Sequence, residues 1–230
     1  IMDAVNDHKI NTVVFMKSAQ VGATEILNNI VGYFIDQDGS PILVLQPTLQ
    51  MAQAWSKDRL ANMIRDCDTL RKKVKDPRSK DSSNTVLSKQ FPGGNINIVG
   101  SNSAAGLASR PIRILLCDEV DRYEASAGAE GDPISLATKR TTTFWNRKIF
   151  ITSTPTIKGI SRIETAFEDS DQRYYHVPCP HCAEYQTLEW EYIKWEEGKP
   201  ETAKYHCKFC EKAIPEEAKQ SMLLKGSWIP

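Results

Sequence analysis

Residues 12–25, TVVFMKSAQVGATE, pass from an apolar, β-branched run through a short polar loop into a helix-favouring stretch, so the chain must accommodate a strand-loop-helix unit near its start. Laid on the phosphate-loop pattern G-x-x-x-x-G-K-[ST], Gly22 and Thr24 take the second glycine and the hydroxyl position. Lys17 then stands where the first glycine belongs, and Ala23 where the lysine belongs. Such a loop, here Lys17, Ser18, Ala19, Gln20, Val21, Gly22, Ala23 and Thr24, offers backbone N–H groups and a helix N-terminus to a polyphosphate. Lys17 can serve the β/γ oxygens if its side chain crosses the loop from the strand end. Taken alone, the same residues also suit a plain strand-helix turn with a solvated lysine.

A second run, IRILLCDE over residues 112–119, is an apolar strand that ends in two consecutive carboxylates. Asp118 at the strand tip is placed to hold Mg²⁺, largely through water, with Thr24 as its partner from the loop. Glu119 is placed to orient and deprotonate a water that attacks a γ-phosphate. An exposed acidic turn after a buried strand is the alternative, but the two patterns in one chain, in this order, point to ATP hydrolysis.

Basic and acidic residues balance at 29 each, so no global positive field exists to hold nucleic acid and any such contact has to be local. A hydrophobic share of 40% is that of an ordinary domain with a core. No apolar run approaches a membrane span, and no signal peptide opens the chain. The sequence begins in mid-pattern at Ile1 and stops at Trp228, Ile229 and Pro230, as expected of a piece of a longer protein.

Four of the six cysteines form two C-x-x-C pairs, Cys179 with Cys182 and Cys207 with Cys210. That doubled spacing suits a structural zinc site in which four thiolates close a tetrahedron, with disulfides as the alternative. His181 and His206 sit next to these cysteines and could replace a ligand, although a histidine so placed more commonly bonds beside the ligands or faces solvent. Cys117, inside the second apolar strand, reads as a small buried hydrophobe, and Cys67 has no partner in the pattern.

Strand and helix signals alternate up to about residue 170, the texture of a mostly parallel sheet covered by helices. Strands are expected at 12–16, 42–45, 96–99 and 148–152, and helices at 24–34, at 48–66 with Thr48 as cap, and at 133–143. The first helix should bury Ile26, Leu27, Ile30, Val31 and Phe34. Residues 72–90 read as a charged loop or hairpin, and 100–110 as a flexible connector. Ser153, Thr154 and Pro155 end the last strand, at the edge where such sheets collect their chemistry. From Tyr174 the texture becomes short and aromatic, a small module at 172–212 that needs a metal in place of a core, followed by a short helix at 214–224.

KSAQVG with Thr24, ILLCDE, TSTPT and the pair CPHC and CKFC together resemble the ATPase region of the large terminase subunit of lambda-like tailed phages. The resemblance covers essentially the whole chain. It implies a RecA-like P-loop ATPase core over residues 1–171, a zinc-ribbon module over 172–212 and a linker over 213–230 towards a C-terminal nuclease domain. It further implies ATP, Mg²⁺ and structural Zn²⁺ as cofactors, and translocation of double-stranded DNA into a procapsid. The expected partners are the portal, a small terminase subunit and a homo-oligomeric ring of this chain, in the cytoplasm of an infected bacterial host. Lys17 and Thr24 would belong to the phosphate loop, Asp118 and Glu119 would be the metal-holding and water-activating acids, and Ser153 to Pro155 would couple hydrolysis to movement. Motors of this kind complete the site with an arginine from a neighbour, for which Arg110, Arg122 and Arg140 are candidates. Two departures stand out. The adenine-recognition segment would lie upstream of Ile1, and many similar sequences carry a second lysine where Ala23 stands. Other readings are a helicase-like translocase, which would need a second domain of the same type, and a zinc-ribbon adaptor on a non-hydrolysing ATP fold.

Overall fold

Strands buried on both faces dictate the architecture of the first part of the chain. The computed structural model describes residues 1–75 and 84–230, and it divides into two units, Ile1–Ser170 and Asp171–Pro230. The first unit holds a six-stranded sheet in the order β1-β6-β5-β2-β4-β3, formed by Thr12–Met16, Lys148–Ser153, Ile114–Asp118, Pro41–Gln46, Gly94–Gly100 and Ser88–Phe91. All neighbours pair in parallel except β3, which runs antiparallel to β4 at one edge. Ile42, Val44, Ile114, Leu116 and Phe150 face one core, and Leu43, Leu45, Leu115, Cys117, Ile149 and Ile151 face the other. Burial on both faces explains why these strands read as unbroken apolar runs rather than as alternating ones.

Helix α1 (Met2–Asn6) precedes β1, and α2 (Ala23–Asp36) follows it with Leu27, Ile30, Val31 and Phe34 buried against the first core. Ile26 packs at the margin of that core. The helix expected at 48–66 is continuous but not regular: α3 (Leu49–Trp55) passes through a π turn (Ser56–Leu60) into α4 (Ala61–Asp66). Thr48 caps it, its Oγ1 accepting from the Met51 amide at 3.2 Å. Trp55 and Leu60 are both buried although five residues apart, a spacing that a plain α-helix would turn to different faces.

After α5 (Asp68–Lys73), residues 76–83 of the expected charged loop lie outside the described residues, while Ser88–Phe91 of the same stretch forms β3. Gly94 opens β4 because a Cβ there would meet the Ser40 carbonyl oxygen at 2.3 Å. The connector expected at 100–110 contains a short helix, α6 (Ala104–Ala108), whose Leu107 is wholly buried. Helix α7 (Pro133–Lys139) ends before residue 143, since the Thr141 and Thr142 hydroxyls donate back to the carbonyls of Thr138 and Lys139. Strand β6 reaches Ser153, and α8 (Arg162–Glu168) closes the unit.

The second unit contains two three-stranded sheets: β12-β7-β8, from Ser227–Ile229, Tyr174–Pro178 and Tyr185–Gln186, and β11-β10-β9, from Ala213–Ile214, Lys199–His206 and Ile193–Glu196. Helix α9 (Ala218–Leu224) places Met222 in a small core with Val177, Cys179, Cys207 and Ile214. Residues 213–230 therefore give this unit two strands, the expected helix and two core residues, where the resemblance implied a linker; strands of two and three residues leave no periodic signal. No helix among the described residues is long and apolar enough to cross a membrane.

Candidate active site and four-cysteine cluster

Parallel register brings the strand tips of the first unit together: Met16 lies beside Ser153, and Asp118 beside Thr152. The Lys17 amide donates to the Ser153 carbonyl at 3.1 Å and so carries the ladder one residue past β1. From there the Lys17 side chain, 8% exposed, crosses to the neighbouring strands and donates from Nζ to Glu119 Oε1 at 2.7 Å and to Thr154 Oγ1 at 3.2 Å. Three of the motifs read from the sequence thus meet at one ammonium group.

Beyond Lys17 the loop is exposed from Ser18 to Gly22. Gln20 and Gly22 take left-handed backbone, with φ of 59° and 83°. No side-chain cap is made at the start of α2, where the Glu25 and Ile26 amides donate to the Gly22 carbonyl at 3.0 and 3.2 Å. Ala23 is buried at 4% exposure and brings no charge, whereas Thr24 is half-buried at the helix start.

Asp118, 6% exposed, accepts from Gln46 Nε2 at 3.1 Å. Burial raises its pKa, the Gln46 amide opposes that rise, Glu119 adds to it and Lys17 works against it. Glu119 adopts left-handed backbone, φ 52° and ψ 51°, which turns its side chain out of the strand and towards Lys17. It also pairs with the exposed Arg122, Nε to Oε2 at 3.6 Å. The following turn, Val120–Arg122, is fixed by Asp121, whose carboxylate accepts from the Thr156 amide and hydroxyl at 2.9 Å and from the Ile163 amide at 2.8 Å. Burial pushes the Asp121 pKa up, but hydrogen bonds from Ser161, Ile163 and Thr156 outweigh it and hold it low. Ser153 is buried with its Oγ donating to the Thr154 carbonyl, and Pro155 is exposed.

Arg110 and Arg140 lie elsewhere. Ile112, just before β5, donates to the Arg140 carbonyl, and Arg110 lines a cleft with Pro41, Asn95 and Ile112, so both arginines belong to the edge where the strands begin. The five residues of β5 separate that edge from Asp118 by roughly 13 Å at about 3.3 Å per residue. Only Arg122 of the three candidates touches the site within this chain. Gln46 received no such role from the sequence. The signal for Gln46 was there: a polar residue closing a strand that is otherwise entirely apolar.

In the second unit the sulfurs of Cys179, Cys182, Cys207 and Cys210 all lie within 4.8 Å of one another, as unpaired thiols, with Cys179–Cys210 at 3.9 Å and Cys182–Cys207 at 3.7 Å. A tetrahedron with metal–sulfur bonds of about 2.3 Å requires sulfur separations of about 3.8 Å, so the four donors fit one. The two loops repeat each other. The Ala183 amide donates to the Cys179 carbonyl and the Glu211 amide to that of Cys207, both residues at positive φ. The His181 amide reaches Cys179 Sγ and the Phe209 amide reaches Cys207 Sγ, each at 3.4 Å. Burial opposes ionisation of Cys207, but the amides of Cys210 and Phe209 prevail and draw its thiol down to about 6. The rings of His181 and His206 bond to the Ala213 and Glu211 carbonyls, outside the four-sulfur set. Cys117 is wholly buried in β5, where burial raises its pKa.

Residues 1–228 match the protein family described as phage terminase large subunit gpA, ATPase domain. The chain belongs to this family. It is 33% identical over 217 residues to the terminase large subunit of Enterobacteria phage P21, which covers 90% of this chain and 34% of that protein. It is 29% identical over 216 residues to the terminase large subunit of Escherichia phage lambda, with the same coverage, 90% and 34%. The chain spans about a third of the length of these curated relatives. The crystal structure of the HK97 bacteriophage large terminase superposes with a TM-score of 0.56 over 72% of this chain and 34% of that one, at 13% identity, and so shares the fold. The first unit of this chain is accordingly an α/β unit on a mostly parallel sheet, with the Lys17–Thr24 loop and the Asp118–Glu119 pair at the carboxyl ends of its strands.

Proposed function

We propose that this chain hydrolyses ATP as the motor region of a phage packaging terminase and drives double-stranded DNA into a procapsid. The observation that carries the reading is the convergence of Lys17, Asp118, Glu119 and Thr154 at one edge of the sheet in a chain of this family. Lys17 turns from Glu119 to the β/γ oxygens of the triphosphate, and the loop from Ser18 to Thr24 with the start of α2 holds the phosphates. Thr24 and Asp118 are the residues that would hold Mg²⁺, which supplies charge neutralisation at the phosphates. Released from Lys17, Glu119 orients a water and accepts its proton as the water oxygen attacks the γ-phosphorus; the bond to the β-γ bridging oxygen breaks and ADP leaves. Ser153, Thr154 and Pro155, which follow the strand between those of Lys17 and Asp118, pass the change onward as the coupling segment. A neighbouring subunit in a ring supplies the arginine.

Four sulfurs at tetrahedral separations support one structural Zn²⁺ held by Cys179, Cys182, Cys207 and Cys210, and with it the zinc-ribbon reading of the second unit. The partners are those of a packaging motor: DNA, portal, procapsid and small subunit, in the host cytoplasm. The test is nucleotide trapping by the complete protein. Glu119→Gln should hold Mg·ATP without turning it over, and a variant that hydrolyses at the parental rate would remove Glu119 from the reaction.

A further inference from the structure

Gln46 is the one polar side chain of β2, following Pro41, Ile42, Leu43, Val44 and Leu45, and it is 2% exposed. A buried amide without a partner is costly, so its presence at the strand end calls for a reason. β2 lies beside β5 with Leu45 opposite Cys117, which puts Gln46 next to Asp118 at the strand tips. Gln46 Nε2 donates to Asp118 Oδ2 at 3.1 Å.

The strand end that carries this amide is held from several sides. Tyr123 Oη donates to the Leu45 carbonyl at 2.9 Å, the Ser101 amide to the Gln46 carbonyl at 2.9 Å, and Ser101 Oγ to the Pro47 carbonyl at 2.9 Å. A Cβ on Gly100 would come within 2.7 Å of the Leu49 amide nitrogen, so the loop beyond Gln46 has little room to shift. A neutral donor fixed in this way occupies one oxygen of Asp118 without cancelling its charge, which leaves the other oxygen and the full negative charge for a cation.

We propose that Gln46 is a positioning residue that sets the Asp118 carboxylate for the divalent cation of the nucleotide. This rests on the ATPase reading above. Partners of metal-holding side chains typically change metal affinity by 10- to 100-fold when removed.

The test titrates Mn²⁺ into the complete protein with a non-hydrolysable ATP analogue, reads the bound ion by electron paramagnetic resonance, and measures analogue binding separately without metal. Gln46→Met, which keeps length and loses the donor, should weaken Mn²⁺ about tenfold and leave metal-free analogue binding unchanged. Gln46→Asn keeps the neutral amide and withdraws it from Asp118 by one methylene, so it should weaken Mn²⁺ in the same way and leave metal-free analogue binding unchanged; should the methionine variant unfold, this one decides alone. Mn²⁺ affinity unchanged in folded variants would overturn the proposal, as would a parallel loss of both affinities in both variants, the mark of packing alone. A parent protein that binds no analogue with or without Mn²⁺ would overturn the ATPase reading and this role with it, a result distinct from variants that match a binding parent.

Discussion

Lys17 Nζ and Glu119 Oε1 stand 2.7 Å apart, so the cation expected to meet the triphosphate and the base expected to activate water neutralise each other in this structure. Neither group can do its work while paired to the other. In the reaction proposed above, nucleotide binding would separate them, because the phosphates offer Lys17 a stronger partner, and Glu119 would keep only its longer contact to Arg122.

Lys17→Ala should lose ATP affinity by about 10- to 100-fold, the worth of a charge-assisted contact of about 1.5–3 kcal/mol. Position 23 carries a buried alanine and cannot substitute. Calorimetric titration with Mg·ATP checks this, and parental affinity in Lys17→Ala would remove the lysine from the phosphate site.

Glu119→Gln should lower single-turnover hydrolysis by about 10²- to 10⁴-fold while retaining binding. Asp121 is poorly placed to take over, since its carboxylate is committed to the amides of Thr156 and Ile163. Residual turnover that vanishes in Glu119→Gln/Glu124→Gln, and not in Glu119→Gln alone, would assign the base to Glu124.

Turnover per subunit should rise with protein concentration. Arg110 and Arg140 sit at the far edge of the sheet and can reach a site only on another subunit, where a finger is worth about 10³-fold or more. Mixing Lys17→Ala subunits with Arg110→Ala or Arg140→Ala subunits should restore activity for the arginine that acts in trans. Turnover independent of concentration would leave the role to Arg122, the one candidate that pairs with Glu119 in cis.

One Zn²⁺ per chain is expected by elemental analysis. Chelation should abolish the ordered packing of Val177, Ile214 and Met222 around the cysteines and spare the six-stranded sheet, whose two apolar cores are independent of it. Cys179→Ser with an undisturbed second unit, seen by amide exchange, would argue against a structural metal.

The sequence made β1, β2, β4, β5, β6 and α2 legible because burial on both faces leaves apolar runs and one helical face leaves a period, whereas the edge strand β3 fell in the charged stretch. Lys17, Asp118 and Glu119 stood out through motif order. Gln46 did not, since its meaning depends on a partner 72 positions away that only strand order supplies. Asp121 follows the acidic pair by two positions, and its role in tying Thr156 and Ile163 to the Glu119 turn is set by loops without periodicity. Arg110 stands close to β5 in the chain, but a strand holds its two ends apart however near they are in sequence, and Arg140 meets the same far edge through its carbonyl bond to Ile112.

The π turn at Ser56–Leu60 means that the helix between β2 and α5 is one residue longer than the groove it fills. Lys57, Asp58 and Arg59 absorb the surplus in solvent while Trp55 and Leu60 stay inside. Removing one of the three would turn the bulge into ordinary α-helix and keep Leu60 on the buried side, now four positions from Trp55. The protein thus carries, in its longest helix, a place where its own length can change by one residue without disturbing what lies on either side.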